Sequence, residues 1–534
     1  MPVVKKQSLE LAIRNVAVRG DTDVFPFPLE NHWFYDRPEA ILEILEDIDR
    51  DFDRSVADYP VLFVKSLAGV GYTGFRAATQ IDPIWNAYFL ALVLEIAQEI
   101  EAARIPADRQ VVFSYRLDLN PEKGTLFAAD LGWSAYQRAA LTKAKAVDFV
   151  LSTDISDFYA RIYHHRLENA LQQATANQEA VRRLKVLLFR LASETSFGLP
   201  VGGNAARLLA EILLNRSDRL LVAHGVDFLR FVDDYYVFAS SREQAQAALV
   251  SMSEFLLIEG LTLSRAKTRL MTRAEFERSS PAADERVAES ESESEARKFL
   301  KLRLAYDPYS PTAEDDYSKL SAELEQFDIV GMLAREFRKS RIDELLVRQL
   351  VKAIRFLERR VRDGAVNSIL CNLEALYPVF STVVIVLRAL LPDLEEPERA
   401  RVFARMRDLL RSGSHITLVP TNLAFAVCLL AYDHDEETDT LLIKAYGDGS
   451  MMLKRDILLA MARRQSAYWL SPALKRFAEV TPWEKRALLV ASYSLGDEGR
   501  HWRDSICKQL NSVESKFLTW VGAKNDGKLW ELPL

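Results

Sequence analysis

Two adjacent aspartates, Asp233 and Asp234, interrupt an aromatic and apolar segment at residues 225–240, which reads GVDFLRFVDDYYVFAS. The runs on either side are typical of strands, so the pattern predicts a strand–turn–strand hairpin with the acidic pair at its turn. Tight hairpin turns usually contain Asn-Gly or Asp-Gly, because their central residues adopt positive φ angles. An Asp-Asp turn is strained, and such strain concentrates at functional sites. The pair is therefore interpreted either as a plain turn or as part of a metal site.

A second acidic position follows another predicted strand. The segment at 148–155 is apolar up to Asp154, and an amphipathic helix is predicted to start near Asp157. A carboxylate at the tip of a buried strand is costly unless it is exposed, caps a helix or binds a cation. Either aspartate could cap the helix. We predict that Asp157 caps it and that Asp154 is a metal ligand.

Two further segments carry possible ligand contacts. A tight loop is predicted near residue 200, followed by a long helix that we expect Asn204 to cap; small residues there let the backbone approach a ligand closely. The small residues of this loop are Gly198, Pro200, Gly202 and Gly203. The segment GLTLSRAKTRLM at 260–271 places Lys267 beside a strand-like edge. Taken alone, the loop is a simple connection to a helix and the lysine is a solvated residue.

In this order, the four segments resemble motifs A, B, C and D of the polymerase palm in the reverse transcriptase family. DISDFY, GLPVG, FVDDY and LTLSRAKT match those motifs in type, order and spacing. Segments at 71–93, 113–118 and 304–320 resemble bacterial antiphage reverse transcriptases, which include the abortive-infection, unknown-group and defence-associated enzymes. Within that set, the chain is similar to the second polymerase of the two-reverse-transcriptase type-3 defence systems.

The resemblance implies a nucleotidyl-transfer site with two Mg²⁺ ions, for which Mn²⁺ is a possible substitute. The implied metal ligands are the carboxylates of Asp154, Asp233 and Asp234 and the carbonyl of Ile155. Lys267 is implied to protonate or steady the leaving pyrophosphate.

The resemblance also implies a set of nucleotide-binding residues. Arg116 would grip phosphates, a task that suits the fork of a guanidinium. Tyr159 would lie under the sugar and collide with a 2′-hydroxyl, which favours dNTPs. The motif B loop contributes Pro200, Val201 and Gly202. The family usually carries Gln at the position of Val201, so this apolar residue argues against ordinary templated copying.

Composition divides the chain into three parts. Residues 1–274 mix helical and strand patterns, which predicts an α+β polymerase fingers–palm domain. Residues 275–297 are rich in Ser, Glu and Ala, which predicts an acidic mobile loop or linker. Residues 298–534 are almost wholly helical, which predicts an all-α helical-repeat domain of HEAT-like type in place of a thumb. The alternative for this last part is a plain helical bundle.

Net charge and cysteine content limit which partners and which cellular compartment are expected. The net charge of −7 means that nucleic acid would need a local basic groove. Basic clusters at 182–190 and 355–362 are candidates, with solvated helix faces as the alternative. No apolar secretion signal or membrane-spanning run is visible, and the three cysteines form no Cys-x-x-Cys pair. We therefore expect a bacterial cytoplasmic protein without a membrane partner.

The favoured function is a DNA polymerase of reverse-transcriptase type that adds dNTPs in antiphage defence. It could copy RNA, extend a DNA product without a nucleic-acid template (for instance from a protein primer), or work jointly with a second reverse transcriptase and a non-coding RNA. Val201 favours the second or third version. The alternative function is a catalytically silent palm that binds nucleic acid or partners as a scaffold. Because repeat arrays often mediate assembly, we expect a homo-oligomer or a larger complex.

Overall fold

The computed structural model describes residues 2–19, 24–26, 28–280, 291–302, 304, 313–525 and 532, with the backbone alone at 291–293 and 313–318. Contacts divide the chain into two compact units. The first unit comprises Met1–Asp23, Glu30–Phe63 and Thr79–Glu289, and the second comprises Val24–Leu29, Val64–Ala78 and Ser290–Leu534. The second unit thus draws a short internal segment, residues 64–78, from the N-terminal part of the sequence.

The chain contains both helices and strands up to residue 279. In chain order they are α1 (Lys6–Arg19), α2 (Leu29–Asp36), α3 (Pro38–Arg50), α4 (Phe52–Asp58), β1 (Phe63–Val70), β2 (Gly74–Ile81), α5 (Pro83–Glu95), α6 (Ala97–Ala103), β3 (Leu117–Asn120), β4 (Thr125–Phe127), α7 (Trp133–Ala144), β5 (Phe149–Asp154), α8 (Phe158–Arg161), α9 (His164–Ala174), α10 (Gln178–Leu191), α11 (Asn204–Ala223), β6 (Phe228–Phe231), β7 (Asp234–Ala239), α12 (Arg242–Ile258), β8 (Arg269–Thr272) and α13 (Arg273–Ser279).

The described residues beyond 290 form helices. They are α14 (Glu291–Leu300), α15 (Ala313–Glu325), α16 (Ile329–Phe337), α17 (Glu344–Ala353), α18 (Arg359–Cys371), α19 (Phe380–Leu390), α20 (Glu396–Arg411), α21 (Pro420–Leu430), α22 (Glu436–Asp448), α23 (Met451–Arg463), α24 (Ala467–Leu474), α25 (Pro482–Ala491), α26 (Gly496–Ile506) and α27 (Ser512–Lys524), with short 3₁₀ turns between some of them. None of the helices in the described ranges combines the length and apolarity needed to cross a membrane.

Helix α5 is the central helix of the first unit. Its sequence, PIWNAYFLALVLE, is apolar on all sides, and such a helix must be enclosed by other elements. Helices α1, α3, α10 and α11 contact it, and every residue from Pro83 to Leu94 is buried. The helix begins at Pro83, and the carboxylate of Asp82 accepts a hydrogen bond of 3.1 Å from the N–H of Ile84, which caps the first turn.

A four-stranded antiparallel sheet in the order β6-β7-β5-β8 carries the candidate site. Val150 of β5 and Phe238 of β7 are directly paired, and both pack in a core that includes Tyr136 of α7 and Phe276 of α13. Helix α12 contacts β5 and β7. The predicted hairpin at 225–240 and the predicted strand at 148–155 are confirmed. The turn residues, however, are Val232 and Asp233, because Asp234 is already the first residue of β7.

Helices α14 to α21 of the second unit pack around a continuous apolar core that extends from Phe299 to Leu430. Residues 64–78, which include most of the β1–β2 hairpin, belong to this unit. The hydroxyl of Tyr72 donates to the carbonyl of Ala375, and Thr421 Oγ1 donates to the carbonyl of Leu67 at 3.3 Å. The HEAT-like repeat and the predicted boundaries at 1–274, 275–297 and 298–534 stay predictions.

The helix boundaries at the candidate site differ in detail from the expectations. Asp157 is the N-cap residue of α8, as predicted, but it has φ +49 and makes no side-chain capping hydrogen bond. Gly203, not Asn204, is the N-cap residue of α11. Within the predicted linker, α13 continues to Ser279 and α14 begins at Glu291, while residues 281–290 lie outside the described residues. The resemblance segment at 304–320 is also largely outside them, since 305–312 are not described.

Candidate active site

Three carboxylates meet at one end of the four-stranded sheet. The pairing of β5 with β7 places Asp154 directly opposite Asp234, and Asp233 precedes Asp234 in the turn. The N–H of Ile155 donates to the carbonyl of Asp233 at 3.1 Å, so the end of β5 is also bonded to the turn itself. Directly opposed residues of antiparallel strands have Cα atoms roughly 4.5–5.5 Å apart, so the acidic side chains are neighbours.

The close approach of these carboxylates, together with their burial, raises the pKa values of two of them. Burial raises the pKa of Asp233 to about 6, and the charge of Asp154 adds to the effect. Burial raises the pKa of Asp234 to about 7, with Asp233 and Asp154 contributing in turn. The charge of Asp154 therefore disfavours ionisation of Asp233 and of Asp234. A divalent cation would relieve this repulsion, and carboxylate oxygens are the donors that Mg²⁺ prefers.

Lys267 is the cation that the structure shows at the cluster. Its ammonium group pairs with Oδ2 of Asp154. Burial lowers the pKa of Lys267, but the hydrogen bond and charge of Asp154 outweigh this and raise it overall, so the side chain is a charged donor. Among the described residues, no group of three or more His, Cys, Asp and Glu side chains is arranged to hold one metal ion. The donor chemistry fits Mg²⁺, but binding would require side-chain rotation, including release of Asp154 by Lys267.

The loop at 261–268 fixes Lys267 beside β5. The N–H of Ser264 donates to the carbonyl of Asp154 at 2.7 Å, and the N–H of Ser156 donates to the carbonyl of Thr262 at 2.8 Å. The hydroxyls of Thr153 and Thr268 are 2.7 Å apart. Ile155, the predicted carbonyl ligand, is buried between the turn and this loop. The loop thus acts as an extension of the sheet beyond the end of β8.

The motif B loop lies against the segment that follows β5. The N–H of Leu199 donates to the carbonyl of Tyr159 at 2.8 Å, and that of Gly198 donates to the carbonyl of Ile162 at 2.8 Å. Gly198 has φ +92 and Gly202 has φ +133, which side-chain-bearing residues rarely adopt. Pro200 is buried, whereas Val201 and Gly202 are half-buried. The carbonyl of Val201 accepts from the N–H of Thr79 at 3.1 Å, so contacts on both sides order the loop backbone.

Residues 100–304 match the family model for reverse transcriptase (RNA-dependent DNA polymerase). The matched segment contains the whole four-stranded sheet and every predicted site residue. It implies a nucleotidyltransferase of the DNA polymerase type, with nucleotides and nucleic acid as ligands and with divalent metals, typically Mg²⁺, as the general cofactors of such domains. No curated protein matches the chain. The resemblance to reverse transcriptases is confirmed at this level, and the narrower antiphage group stays a prediction.

Tyr159 lies in the reverse-transcriptase segment next to Tyr115, a residue that sequence reasoning missed. Burial raises the pKa of Tyr159 well above its ordinary value, and Tyr115 is the next contributor. The guanidinium of Arg207, which the sequence also left unassigned, lies 5.4 Å from the centroid of the Tyr115 ring. Tyr115 directly precedes Arg116 in the segment at 113–118, so the sequence could have indicated it as a site residue. Its positive φ of +47 could not be read from the sequence.

Arg116 faces the interior of the reverse-transcriptase segment. It is 3% exposed. Its Nη2 donates to the carbonyl of Ile105 at 2.7 Å, and its Nε lies 3.0 Å from Oε1 of Glu101. This arrangement lends no support to the predicted phosphate contact, because the guanidinium is enclosed by protein groups.

A buried ion cluster beneath the hairpin turn is the main feature that sequence reasoning missed. Its central carboxylate, Glu211 of α11, contacts Arg104 and Arg230. Asp218 lies two helical turns after Glu211 on the same helix and pairs with Arg230. Two acids at this spacing inside an apolar helix were the available sequence signal. Their basic partners could not be read from it, since they come from distant segments.

Proposed function

We propose that the chain is a DNA polymerase of reverse-transcriptase type that adds dNTPs in antiphage defence. One observation carries the proposal: β5 and β7 pair so that Asp154 lies opposite Asp234, with Asp233 beside them, inside the segment that matches the reverse transcriptase model. The raised pKa values of Asp233 and Asp234 support the proposal, because a bound cation would offset the unfavourable crowding of negative charge in the cluster.

The acidic cluster and Lys267 carry the chemistry in this proposal. Asp154, Asp233 and Asp234, with the carbonyl of Ile155, would hold two Mg²⁺ ions or Mn²⁺. Two such ions would activate the attacking hydroxyl and neutralise the triphosphate. Lys267, which pairs with Asp154 in this structure, would donate a hydrogen bond to the departing pyrophosphate. Its raised pKa keeps the ammonium charged for that contact.

The nucleotide lies against Tyr159 and the motif B loop. The bulk of Tyr159 excludes a 2′-hydroxyl and so selects dNTPs. Pro200, Val201 and Gly202 form the adjoining wall, and the bonds from this loop to Thr79 and to Tyr159 keep it in place. Arg207, which lies on the ring of Tyr115, supplies a positive charge near the incoming triphosphate.

The catalytic proposal is tested with purified full-length protein, labelled dNTPs and Mg²⁺. We expect incorporation by the wild type and a fall to the no-enzyme background in Asp233→Asn and Asp154→Asn. The matched control is Asp227→Asn, which removes a half-exposed carboxylate just before β6 that pairs with Lys143. Incorporation should be unchanged in this control. Absence of incorporation by the wild type, or equal rates in all four proteins, would contradict the proposal.

Val201 leads us to propose synthesis other than ordinary RNA copying: either untemplated extension, including from a protein primer, or joint synthesis with a second reverse transcriptase and a non-coding RNA. RNase-resistant product from the purified protein alone would support untemplated extension, and product that stays bound to protein until protease digestion would indicate a protein primer. Product that requires added RNA would support the joint version. Val201→Gln should increase copying of an RNA template, whereas the apolar control Val201→Leu should not.

A second candidate, a silent palm that acts as a scaffold, is favoured by the ion pair of Lys267 with Asp154 and by the absence, among described residues, of a preformed three-ligand metal cluster. Phage protection in cells separates the two. The polymerase proposal expects Asp233→Ala to abolish protection at equal protein levels, with Asp227→Ala as the control. The scaffold proposal expects Asp233→Ala to protect as well as the wild type does.

A further inference from the structure

The backbone at the tip of the β6–β7 hairpin is held by buried side chains beneath it. Val232 has φ +57 and is 6% exposed, and a β-branched residue in this region of φ is strained. Its N–H donates to Oγ of Ser114 at 3.0 Å, and its carbonyl accepts from Nη1 of Arg230 at 2.9 Å. Both backbone polar groups of the strained residue therefore have side-chain partners.

These partners belong to a set that we call the anchor cluster, which consists of Arg104, Ser114, Glu211, Asp218 and Arg230. Its members are between 0% and 4% exposed. Glu211 accepts from Oγ of Ser114 at 2.6 Å, from Nη2 of Arg104 at 2.6 Å and from Nη2 of Arg230 at 2.9 Å. Two guanidinium groups face two carboxylates, so the formal charges of the anchor cluster balance.

Asp218 fixes the direction of the Arg230 side chain. It accepts from Nε at 2.9 Å through Oδ1 and from Nη2 at 2.6 Å through Oδ2, in the bidentate geometry that sets the plane of a guanidinium. With Nε and Nη2 occupied, Nη1 points at the carbonyl of Val232. The ion pair with Asp218 thus orients Arg230 so that it donates a hydrogen bond to the backbone of the turn.

Stability alone does not explain this arrangement. Removing ions from water is costly, and a well-packed apolar group is often at least as stabilising as a buried ion network of the same volume. What the anchor cluster supplies, and an apolar core would not, is a hydrogen-bond donor and an acceptor at fixed places beneath Val232. Asp233 and Asp234 directly follow Val232 in the chain. The orientation of the Val232 backbone therefore sets the direction of both carboxylates.

We propose that Ser114 and Arg230 are positioning residues that fix the Val232 peptide and thereby aim Asp233 and Asp234 at their metal site. The inference rests on the proposed function, because that function assigns the two aspartates as ligands. Neither Ser114 nor Arg230 touches substrate, and both act through the backbone of the turn. Glu211 and Asp218 in turn hold these two side chains in place.

The test uses Ser114→Ala in the full-length protein, with Ser217→Ala as the matched control. Ser217 is 1% exposed on α11, but its Oγ donates to the carbonyl of Phe255 at 3.4 Å, away from the turn. Each variant thus loses one buried hydroxyl of the first unit. The measurements are kcat and KM for dNTP incorporation, Mn²⁺ affinity from the electron paramagnetic resonance signal of free Mn²⁺, and the midpoint of thermal unfolding.

Ser114→Ala should lower kcat by about tenfold, the equivalent of one hydrogen bond lost at a buried group, with KM changed by less than about twofold. Mn²⁺ affinity should fall by roughly tenfold, as expected when a group that orients metal ligands is lost. The thermal midpoint should fall further in Ser114→Ala than in Ser217→Ala but stay above the assay temperature, because Ser114 makes two hydrogen bonds at buried groups and Ser217 makes one at 3.4 Å. The kcat and Mn²⁺ affinity of Ser217→Ala should equal those of the wild type. A second variant, Arg230→Lys, keeps the charge but cannot bond Asp218, Glu211 and Val232 together, and it should show the same fall in kcat.

The outcomes separate the inference from the proposed function. If Ser114→Ala equals Ser217→Ala in kcat and Mn²⁺ affinity, or if its losses disappear at an assay temperature well below its thermal midpoint, the positioning role is overturned. If the wild type binds Mn²⁺ without incorporating dNTPs, the proposed function fails, and the Mn²⁺ affinities of the variants still decide the positioning role. If the wild type neither binds Mn²⁺ nor incorporates dNTPs, both fail.

Discussion

Two hairpins of this chain make the same reversal with opposite kinds of residue. The β1–β2 hairpin, whose tip belongs to the second unit, turns through Gly71 at φ +61. The β6–β7 hairpin of the first unit turns through Val232 at φ +57. Glycine adopts positive φ about as readily as negative φ, whereas a β-branched residue does so only under constraint. Gly71 therefore adopts the backbone conformation of the first turn without strain, whereas Val232 in the second turn needs contacts from surrounding residues to hold it.

The anchoring of the two tips differs in the same way. A side chain, Tyr72, ties the β1–β2 tip to the carbonyl of Ala375. Buried side chains instead tie the backbone of the β6–β7 tip, through the contacts of Ser114 and Arg230 with Val232. A side-chain tether holds a hairpin in place through a side chain and makes no bond to the tip peptide itself. A backbone tether fixes the peptide itself, which suits a tip that carries candidate metal ligands.

The largest effect in this comparison is expected for Arg230→Met. The change leaves Glu211 and Asp218 with less positive charge in a buried site, so the free energy of unfolding should fall by about 3–5 kcal/mol, measured by chemical denaturation. The matched control is Arg182→Met, which breaks half-exposed ion pairs with Glu179 and Asp53 and should cost less than about 1 kcal/mol. A loss as small as that of the control would show that the tip does not depend on this ion cluster.

The next effect is expected where glycine makes the turn. Gly71→Ala places a Cβ on a residue at φ +61, and the free energy of unfolding should fall by about 1–2 kcal/mol. Space is not the cause, since the nearest atom to that Cβ would be Oε1 of Glu344 at 3.5 Å. Gly69→Ala on the same hairpin is the control, because its Cβ would meet Tyr377 at an ordinary 3.7 Å. Equal denaturation midpoints for the two variants would remove φ as the reason for glycine at this turn.

A smaller effect is expected for the side-chain tether. Tyr72→Phe removes the hydroxyl that donates to Ala375 and should lower the free energy of unfolding by about 0.5–1.5 kcal/mol. Tyr468→Phe removes a hydroxyl bonded to Asp439 from a residue that is 65% exposed, and it should be close to neutral. If Tyr72→Phe were also neutral in chemical denaturation, the tether would not contribute to stability.

The acidic site was predictable from sequence because its parts are local. A strand that ends at Asp154 and a hairpin that contains Asp233 and Asp234 each leave an apolar pattern in a short window, and their order along the chain suggested that they meet. The exact turn was not predictable, since the strain falls on Val232 rather than on the acidic pair. Which residue of a turn adopts positive φ depends on contacts that a short window does not contain.

The anchor cluster and the inward direction of the Arg116 side chain could not be predicted, because both depend on features that a short sequence window does not show. Ser114 and Glu211 meet across 97 positions of sequence, and such a pair has no signature in either segment. In a regular strand, successive side chains point to opposite faces. The positive φ of Tyr115 breaks that alternation, regular pairing resumes only at Leu117, and Arg116 faces the interior. One irregular residue thus changes the direction of its neighbour's side chain, and the phosphate contact of Arg116 stays a prediction.

The smallest effect on stability is expected for Val232→Gly, which gives the second tip the residue type of the first. Relief of strain, about 1–3 kcal/mol, opposes the loss of a buried valine side chain and the greater freedom of glycine in the unfolded chain, so the free energy of unfolding should change by less than about 1 kcal/mol. Gly keeps the N–H and carbonyl that Ser114 and Arg230 bind, so incorporation of dNTPs should fall by less than about threefold, well short of the loss in Ser114→Ala. The two variants therefore separate the side chain of the turn from its tethered backbone. If Val232→Gly lowered kcat as far as Ser114→Ala does, the valine side chain itself, rather than the hydrogen bonds beneath it, would hold the aspartates in place.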